Sequence, residues 1–360
     1  GFLFYFSEMK DPRVERTTSH LLGNIMFITI AAVLSGAETW DAIEDYGNAK
    51  IKWLSNILEL PDGIPSHDTF NRVFSAIDAD EFENIFLKWI KSIQKKTKGE
   101  VVSIDGKTMR GTRVAGSKCA THIVSAWADE NELILGQIQV DEKSNEITAI
   151  PQLLNSIMIK GSIVTIDAMG CQKKIASKIV SKGAHYILSV KDNQKELFED
   201  IKDSFRVMKP SDIYEDIDYG HGRIEQRKCV VITDLGLVEN PHKWKSLKSI
   251  IQMYRTRTFK ATNKIESDVS YYISTLDNAE EIHKGIRKHW GIENKVHWVL
   301  DVVFNEDHSR KRNDNAAKNF TNINRIAINM LKADNKKASL VRKRLAAGWD
   351  NDYMVKLLKI

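Results

Sequence analysis

Leu22, Met26, Ile30 and Val33 recur every three or four residues, and Phe82, Ile85, Phe86, Trp89 and Ile90 do the same further on. That is the period of a helix with one apolar face, and it predicts an all-helical region over residues 1–97. Between these stretches Gly63-Ile64-Pro65-Ser66 makes a turn, and Ser66 or Asp68 is placed to cap a helix over Thr69–Ala76. A short capped helix of this kind either packs against its neighbours or enters a groove of DNA. The most apolar stretch, Leu21 to Leu34, is interrupted by Gly23, Asn24 and Thr29. It falls short of the roughly 20 apolar residues that span a bilayer and reads as a buried helix. No basic segment precedes it and no small-residue cleavage site follows, so a signal peptide is not expected.

After Lys98 the period changes. Val101–Asp105, Thr121–Trp127, Leu133–Val140, Ile163–Ala168 and Tyr186–Val190 are short, β-branched, apolar runs and predict five strands. Helical patterns over Ile147–Ile157 and Lys173–Lys182 precede the fourth and fifth. Three successive strands followed by helix–strand alternation predict an α/β fold, a mixed sheet covered on both faces. From Ile201 to about Leu276 strands return at Cys229–Thr233, Ile250–Tyr254 and Val269–Ser274 without that alternation, which reads as a β-rich insertion. Helical character resumes at Ala279, continues through Leu331 and gives way to a basic, helical tail.

Composition excludes a disordered or collagen-like chain: 42% of the 360 residues are apolar and 28% charged. Fifty-three Lys and Arg against 48 Asp and Glu leave a net charge of +5, which permits a nucleic-acid partner without requiring one. The distribution is more telling. Arg310 to Arg344 holds eleven basic residues and two acidic ones, a net +9, and reads as a phosphate-binding footprint. Glu199 to Asp218 carries a net −4 and reads as a solvated helix and loop turned away from DNA. Cys119, Cys171 and Cys229 lie far apart with no CxxC spacing. Neither a zinc ribbon nor a disulfide framework is expected, and a reducing cytoplasm fits.

Two carboxylates stand at the ends of predicted core strands, Asp105 before Gly106-Lys107 and Asp167 before Ala168. An acid there often caps a neighbouring element, but burying two unpaired carboxylates side by side calls for a cation or a raised pKa. Glu293 completes a three-acid set, from a helix on which His289 and Val296 or His297 share its face. Oxygen ligands of this kind suit Mg²⁺, with Mn²⁺ as a substitute. Two such ions about 4 Å apart activate the attacking oxygen and stabilise the leaving one in phosphoryl transfer. Asp301, Glu306 and Asp307 compete with Glu293 for the third place; for Asp301 the alternative is an ion pair near Arg310. His289 and His297 are two helical turns apart, too far for one zinc ion. Trp290 and Trp298 are expected to pack in the core, unless one stacks on an unpaired base.

Three segments carry a family resemblance: Asp105-Gly106-Lys107-Thr108-Met109-Arg110-Gly111, Thr165-Ile166-Asp167-Ala168-Met169-Gly170-Cys171-Gln172, and His289-Trp290-Gly291-Ile292-Glu293-Asn294 through His297-Trp298-Val299-Leu300-Asp301-Val302. The chain resembles the DDE insertion-sequence transposases of the ISAs type, also called H-repeat-associated proteins. Its first part is similar to their associated helical domain at Asp11-Pro12-Arg13, Gly36-Ala37-Glu38-Thr39-Trp40 and Gly63 to Phe70. The resemblance implies a ribonuclease-H-like core in which Asp105, Asp167 and Glu293 bind divalent metal. It also implies cutting of DNA at transposon ends and joining of the freed 3′-hydroxyl to target DNA. Related transposases carry a Tyr, an Arg and a Lys around the catalytic Glu, where this chain has Ile286, His289 and Leu300. Arg287, Lys288 and His289 are then expected to supply the phosphate contacts.

With that resemblance the chain divides into a helical domain for DNA-end binding (1–97), the first part of the core (98–200), the β-rich insertion (201–276), core helices carrying Glu293 (277–332) and a basic tail (333–360). Lys107, Arg110, Lys191, Asn193, His221, Arg223, Arg287, His289, Trp290, Arg310 and Arg312 are expected to contact DNA, with Arg227 evenly balanced between a phosphate contact and a solvated charge. Synapsis of two ends implies a homodimer or higher oligomer, in the cytoplasm and on the nucleoid during action. The alternatives are a catalytically inactive, domesticated DNA-binding relative and a nuclease that hydrolyses without joining.

Overall fold

Strand β1, Val101–Met109, is the axis of a nine-stranded sheet ordered β3-β2-β1-β4-β5-β9-β8-β7-β6. The computed structural model describes residues 2–13, 18–95, 98–109, 121–140, 145–220, 222–311 and 313–359. On one side β1 forms antiparallel pairs with β2 (Thr121–Ala128) and, through it, β3 (Leu133–Val140). On the other it runs parallel to β4 (Ile163–Ile166), which runs parallel to β5 (His185–Val190). These five strands are the mixed core anticipated from the alternating apolar runs, and their order is that of a ribonuclease-H-like sheet.

The helices, in chain order, are α1 (Phe2–Phe6), α2 (Leu22–Leu34), α3 (Trp40–Ala49), α4 (Ile51–Leu54), α5 (His67–Ala76), α6 (Ala79–Ile93), α7 (Glu146–Ser156), α8 (Lys173–Ser181), α9 (Lys195–Val207), α10 (Ala279–Ile292), α11 (Trp298–Val302), α12 (Ala316–Ala333), α13 (Leu340–Trp349) and α14 (Asn351–Leu358). α10 lies against β1, β4 and β5. Gly285 permits this: a Cβ there would come within 2.6 Å of Ile187 Cδ1.

The strand-rich stretch departs from expectation in two ways. It holds four strands, because β6 (Asp212–Gly220) precedes β7 (Arg223–Ile232), β8 (Ser249–Phe259) and β9 (Ile265–Ser274). And it extends the core sheet, since β9 pairs antiparallel with β5 from Ile187 opposite Ser274 to Val190 opposite Tyr271. The register places Arg227 opposite Asp216 and Arg255, Glu225 opposite Arg257, and Arg255 opposite Asp268. Residues two apart on a strand share a face, so this extension presents one charged face.

The helical first part shares a continuous apolar core with the sheet region, running from Phe6 and Ile25 to Phe320 and Leu357. Ser66 caps α5 by accepting from the Thr69 backbone N–H. Phe70 and Phe74 on that helix are fully buried, each contributing roughly 2–3 kcal/mol, with Trp40 stacked on Phe74. α12 passes through the junction, and Asn319 Nδ2 donates to the carbonyls of Phe74 (2.8 Å) and Ile77 (2.9 Å).

The tail is helical as expected, residues 340–358 forming α13 and α14, but these pack on α2 and α12. Lys343 donates to the Leu331 and Asp334 carbonyls, and Arg344 donates to those of Val33 and Val303. Lys311, Arg325, Lys343 and Arg344 are all buried, so the +9 stretch is not one phosphate-binding surface. Among the described residues no helix is long and apolar enough to cross a membrane.

Candidate active site

The parallel ladder between β1 and β4 ends at Ile104 opposite Ile166. Asp105 and Asp167 are the next residue after each of these, so the two carboxylates stand at the same level, where the parallel pairing ends. β1 itself continues past Asp105 to Met109, paired only with β2; the strand therefore runs four residues beyond the end expected for it. Glu293 comes from the opposite layer, at the start of a π-helical turn, Glu293–His297, between α10 and α11. Such turns concentrate at functional sites because the widened ring re-aims a side chain. His297 is buried and places Nδ1 2.9 Å from Glu293 Oε2 and 3.8 Å from Asp105 Oδ2.

Electrostatics mark this place. Burial, reinforced by the charges of Asp167, Glu146 and Glu293, pushes Asp105 up to about 7. Asp167 is raised by burial and by Glu146. Burial lowers His297 despite its bond to Glu293, and His289, held by Thr165 Oγ1 at 2.9 Å, is pushed down to about 4. Neither Asp105 nor Asp167 has a Lys or Arg at ion-pair distance among the described residues. Crowded carboxylates without a cationic partner are the arrangement that a divalent ion relieves. The donors fit one: an oxygen of Asp105, an oxygen of Glu293 and a nitrogen of His297 lie within 4.8 Å of one another.

The acids open onto a cleft of about 910 Å³, whose far wall is the charged face of the extension, with Arg223, Arg227, Arg255 and Arg257. Many of these arginines are held in place. Arg255 makes a two-pronged contact with Asp268 (3.0 and 2.8 Å), Arg227 pairs with Glu225 and Asp216, and Arg223 pairs with Glu225. Of the acidic stretch expected to turn away, Asp216 and Asp218 on β6 pair with Arg287, and Asp216 also with Arg227, so these two acids hold arginines that line the cleft. Lys191, exposed on the loop after β5, also lines the cleft and has no carboxylate at ion-pair distance among the described residues.

Of the expected DNA contacts, Lys191, Arg223, Arg287, His289 and Trp290 line the cleft with the three acids. Lys107 does not. Its side chain is 8% exposed and its ammonium is held by Asp301, Asp307 (3.3 Å) and Glu306 (3.8 Å). The same pairing occupies all three acids that competed with Glu293, and places Asp301 on Lys107 instead of Arg310. Asn193 donates to the Ala168 carbonyl and so braces the loop after Asp167. Lys288 is paired with Asp129 and Glu130, and Arg287 with Asp216 and Asp218. With His289 neutral above about pH 4, that trio is not the set of unpaired phosphate ligands expected. Trp290 and Trp298 are each 55% exposed, against the expectation of core packing. Arg310 is exposed outside the cleft. Arg110, His221 and Arg312 lie outside the described residues.

Sequence reading missed the pairing of His297 with Glu293, although the four-residue spacing was visible. It also missed Arg255 and Arg257, which only strand register brings to the acids.

Comparison with known proteins gives the family. Residues 96–330 match the family described as Transposase DDE domain, and residues 3–90 match the one described as DDE_Tnp_1-associated. A protein of Escherichia coli O157:H7 named as transposase YncI is 41% identical, over 99% of this chain and 94% of its own. The H repeat-associated protein YhhI of Escherichia coli K12, named as a transposase, is 40% identical over 98% and 96%. The cryo-EM structure of the piggyBac transposase synaptic complex with hairpin DNA aligns with TM-score 0.46 and 12% identity, over 97% of this chain and 76% of that one. With the acids assembled and relatives matched almost end to end, an inactive relative is not favoured; the chain belongs to the DDE transposases, an enzyme family of DNA cleavage and transfer, and to their H repeat-associated group.

Proposed function

We propose that Asp105, Asp167 and Glu293 form the metal-binding catalytic set of this transposase, cutting DNA at the ends of its element and joining the freed 3′-hydroxyl to target DNA. The observation that carries the reading is that these three acids share one cleft mouth while every competing acid is bound to Lys107. Asp105 and Asp167 would hold one Mg²⁺, and Asp105 and Glu293 a second, with Mn²⁺ able to substitute. Bound there, the ions supply activation of the attacking oxygen and stabilisation of the leaving one. The chain's own part is positional. His297 fixes the carboxylate of Glu293; Lys191 and the arginines of β7 and β8 orient the scissile phosphate without reading bases; Trp290 offers a stacking surface to an unpaired base. The helical first part adds affinity for the element's ends. Two ends are handled together by at least a dimer, on nucleoid DNA in the cytoplasm.

The test is incubation of the protein with end DNA and Mg²⁺ or Mn²⁺, beside Asp105→Asn, Asp167→Asn and Glu293→Gln. Metal-dependent nicking and end joining in wild type, lost in all three variants that still bind DNA, supports the assignment. Cleavage surviving any one substitution removes that residue from the set.

A further inference from the structure

Gly106, next to Asp105, has no side chain, and two groups fill the space a Cβ would take: Glu146 Oε1, and His122 Nε2 at 2.5 Å from that point. The strand is bare at Gly106, whose side-chain face is opposite that of the neighbouring Asp105, and there Glu146 and His122 come up against the backbone. Glu146 comes from the first turn of α7, and its side chain is 14% exposed. His122 comes from β2, opposite Thr108 in the β1 register. The three make a chain: Thr108 Oγ1 to His122 Nδ1 is 2.9 Å, and His122 Nε2 to Glu146 Oε1 is 2.7 Å. One carboxylate oxygen of Glu146 is therefore engaged and its orientation fixed. Its charge is the largest electrostatic influence on Asp167 and stands ahead of that of Glu293 on Asp105.

An acid in the first turn of a helix ordinarily complements the helix dipole from a solvated position. Glu146 is instead mostly buried, held by a histidine that is itself held by a threonine. Carboxylates that ligate a metal are themselves held by hydrogen-bonding partners in this way.

We infer that Glu146 is a fourth carboxylate of the metal site, positioned by His122, and that Gly106 is glycine because this carboxylate must pass over β1. The inference rests on the proposed metal-binding role of Asp105, Asp167 and Glu293. Glu146 shares with Asp105 and Asp167 the cation on their side of the cleft, while Glu293 and His297 serve the other side. His122 is a positioning residue; it touches neither metal nor DNA.

Mn²⁺ binding to the full-length protein without DNA, followed by calorimetry and by the loss of the free-ion electron paramagnetic signal, tests this apart from activity. Thermal melts in metal-free buffer identify variants that fold. Glu146→Gln is expected to weaken Mn²⁺ binding about 10- to 100-fold, the range for lost partners of a metal site. Glu146→Asp keeps the charge but withdraws it by one methylene, and is expected to lose affinity too. His122→Ala weakens binding less, and His122→Gln, whose amide can donate to Glu146, restores part of it. Gly106→Ala gives the loss of Glu146→Gln without touching either side chain, and stands in for it should that variant melt early. Wild-type affinity in both Glu146→Gln and Gly106→Ala, beside loss in Asp105→Asn, overturns the inference and leaves the three-acid site intact. Full affinity in Glu146→Asp with loss in Glu146→Gln also overturns it, reducing Glu146 to a background charge. No Mn²⁺ binding by wild type overturns the metal site and this inference with it.

Discussion

Lys107 stands two residues from Asp105, in the segment that most resembles a transposase motif, yet its surroundings assign it to stability rather than to DNA. Replacing it with Met keeps the aliphatic stem and removes the charge that Asp301, Glu306 and Asp307 share. Removing one partner of a buried ion pair costs about 3–5 kcal/mol, because the other charge stays buried without compensation. Two features place Lys107→Met at the low end. Asp301 and Asp307 keep 35% and 24% exposure and remain partly hydrated, and Glu306, at 1% exposure, still has Arg325 at 3.2 Å. A loss of about 3 kcal/mol follows. At roughly 2.1 cal/mol/K of unfolding entropy per residue over this length, that lowers Tm by about 4 °C. Urea denaturation and calorimetry measure it, and adding Asp301→Asn to Lys107→Met should return about 1 kcal/mol, since the two share one contact. DNA affinity of the folded fraction should keep its salt dependence, whereas Lys191→Ala should flatten that slope by roughly 0.9, the value of one phosphate. Unchanged stability in Lys107→Met, together with a slope reduced by one phosphate, would refute the structural role and restore Lys107 as a DNA contact.

Metal-free protein should grow less stable as pH rises through about 7. Asp105 binds its proton more tightly folded than unfolded, so its stabilising contribution is complete below about pH 4 and lost as pH passes the folded value. Asp105→Asn should therefore melt higher than wild type above pH 7 and converge with it near pH 4; parallel Tm curves would contradict this. His297→Ala should free the Glu293 carboxylate and reduce cleavage about 10- to 100-fold, with His297→Gln recovering part of it and DNA affinity unchanged. Equal losses of cleavage and affinity would place His297 in general packing instead.

The core sheet was legible because apolar period is a local property. Leu133–Val140 coincides with β3, and the helices expected at Ile147–Ile157 and Lys173–Lys182 lie within a residue of α7 and α8. β6 was not legible. Asp212-Ile213-Tyr214-Glu215-Asp216-Ile217-Asp218 reads as a solvated acidic run, and it is a strand because it closes the sheet's edge opposite β7. The acids of the site were legible from strand ends and spacing. The arginine wall was not, since Arg227 and Arg255 meet only through register, and Glu146 stood out in no local pattern because only the fold brings it against Gly106 and His122.

The charge count misled for a related physical reason. A run of Lys and Arg has two outlets, phosphate or backbone carbonyl, and composition does not distinguish them. Arg344 reaches the Val33 carbonyl with Nη2 at 3.0 Å, next to the residue that ends α2, and also reaches the carbonyl of Val303, one residue past α11. Helix C-termini leave carbonyls unsatisfied, and a guanidinium with several donors satisfies two ends at once. Lys343 does the same near the end of α12 through Leu331 and Asp334. Arg344 thereby ties α2 of the helical first part to the segment that follows α11, while Lys343 secures the end of α12. The basic charge that lines the cleft lies instead on the sheet extension, where Asp216, Glu225 and Asp268 nearly cancel it in any count along the chain. A carboxylate that holds an arginine at a fixed angle lowers its net charge but also keeps it from collapsing onto the site's own acids. Orientation at the cleft is thus obtained at the expense of the charge signature by which sequence analysis looks for it.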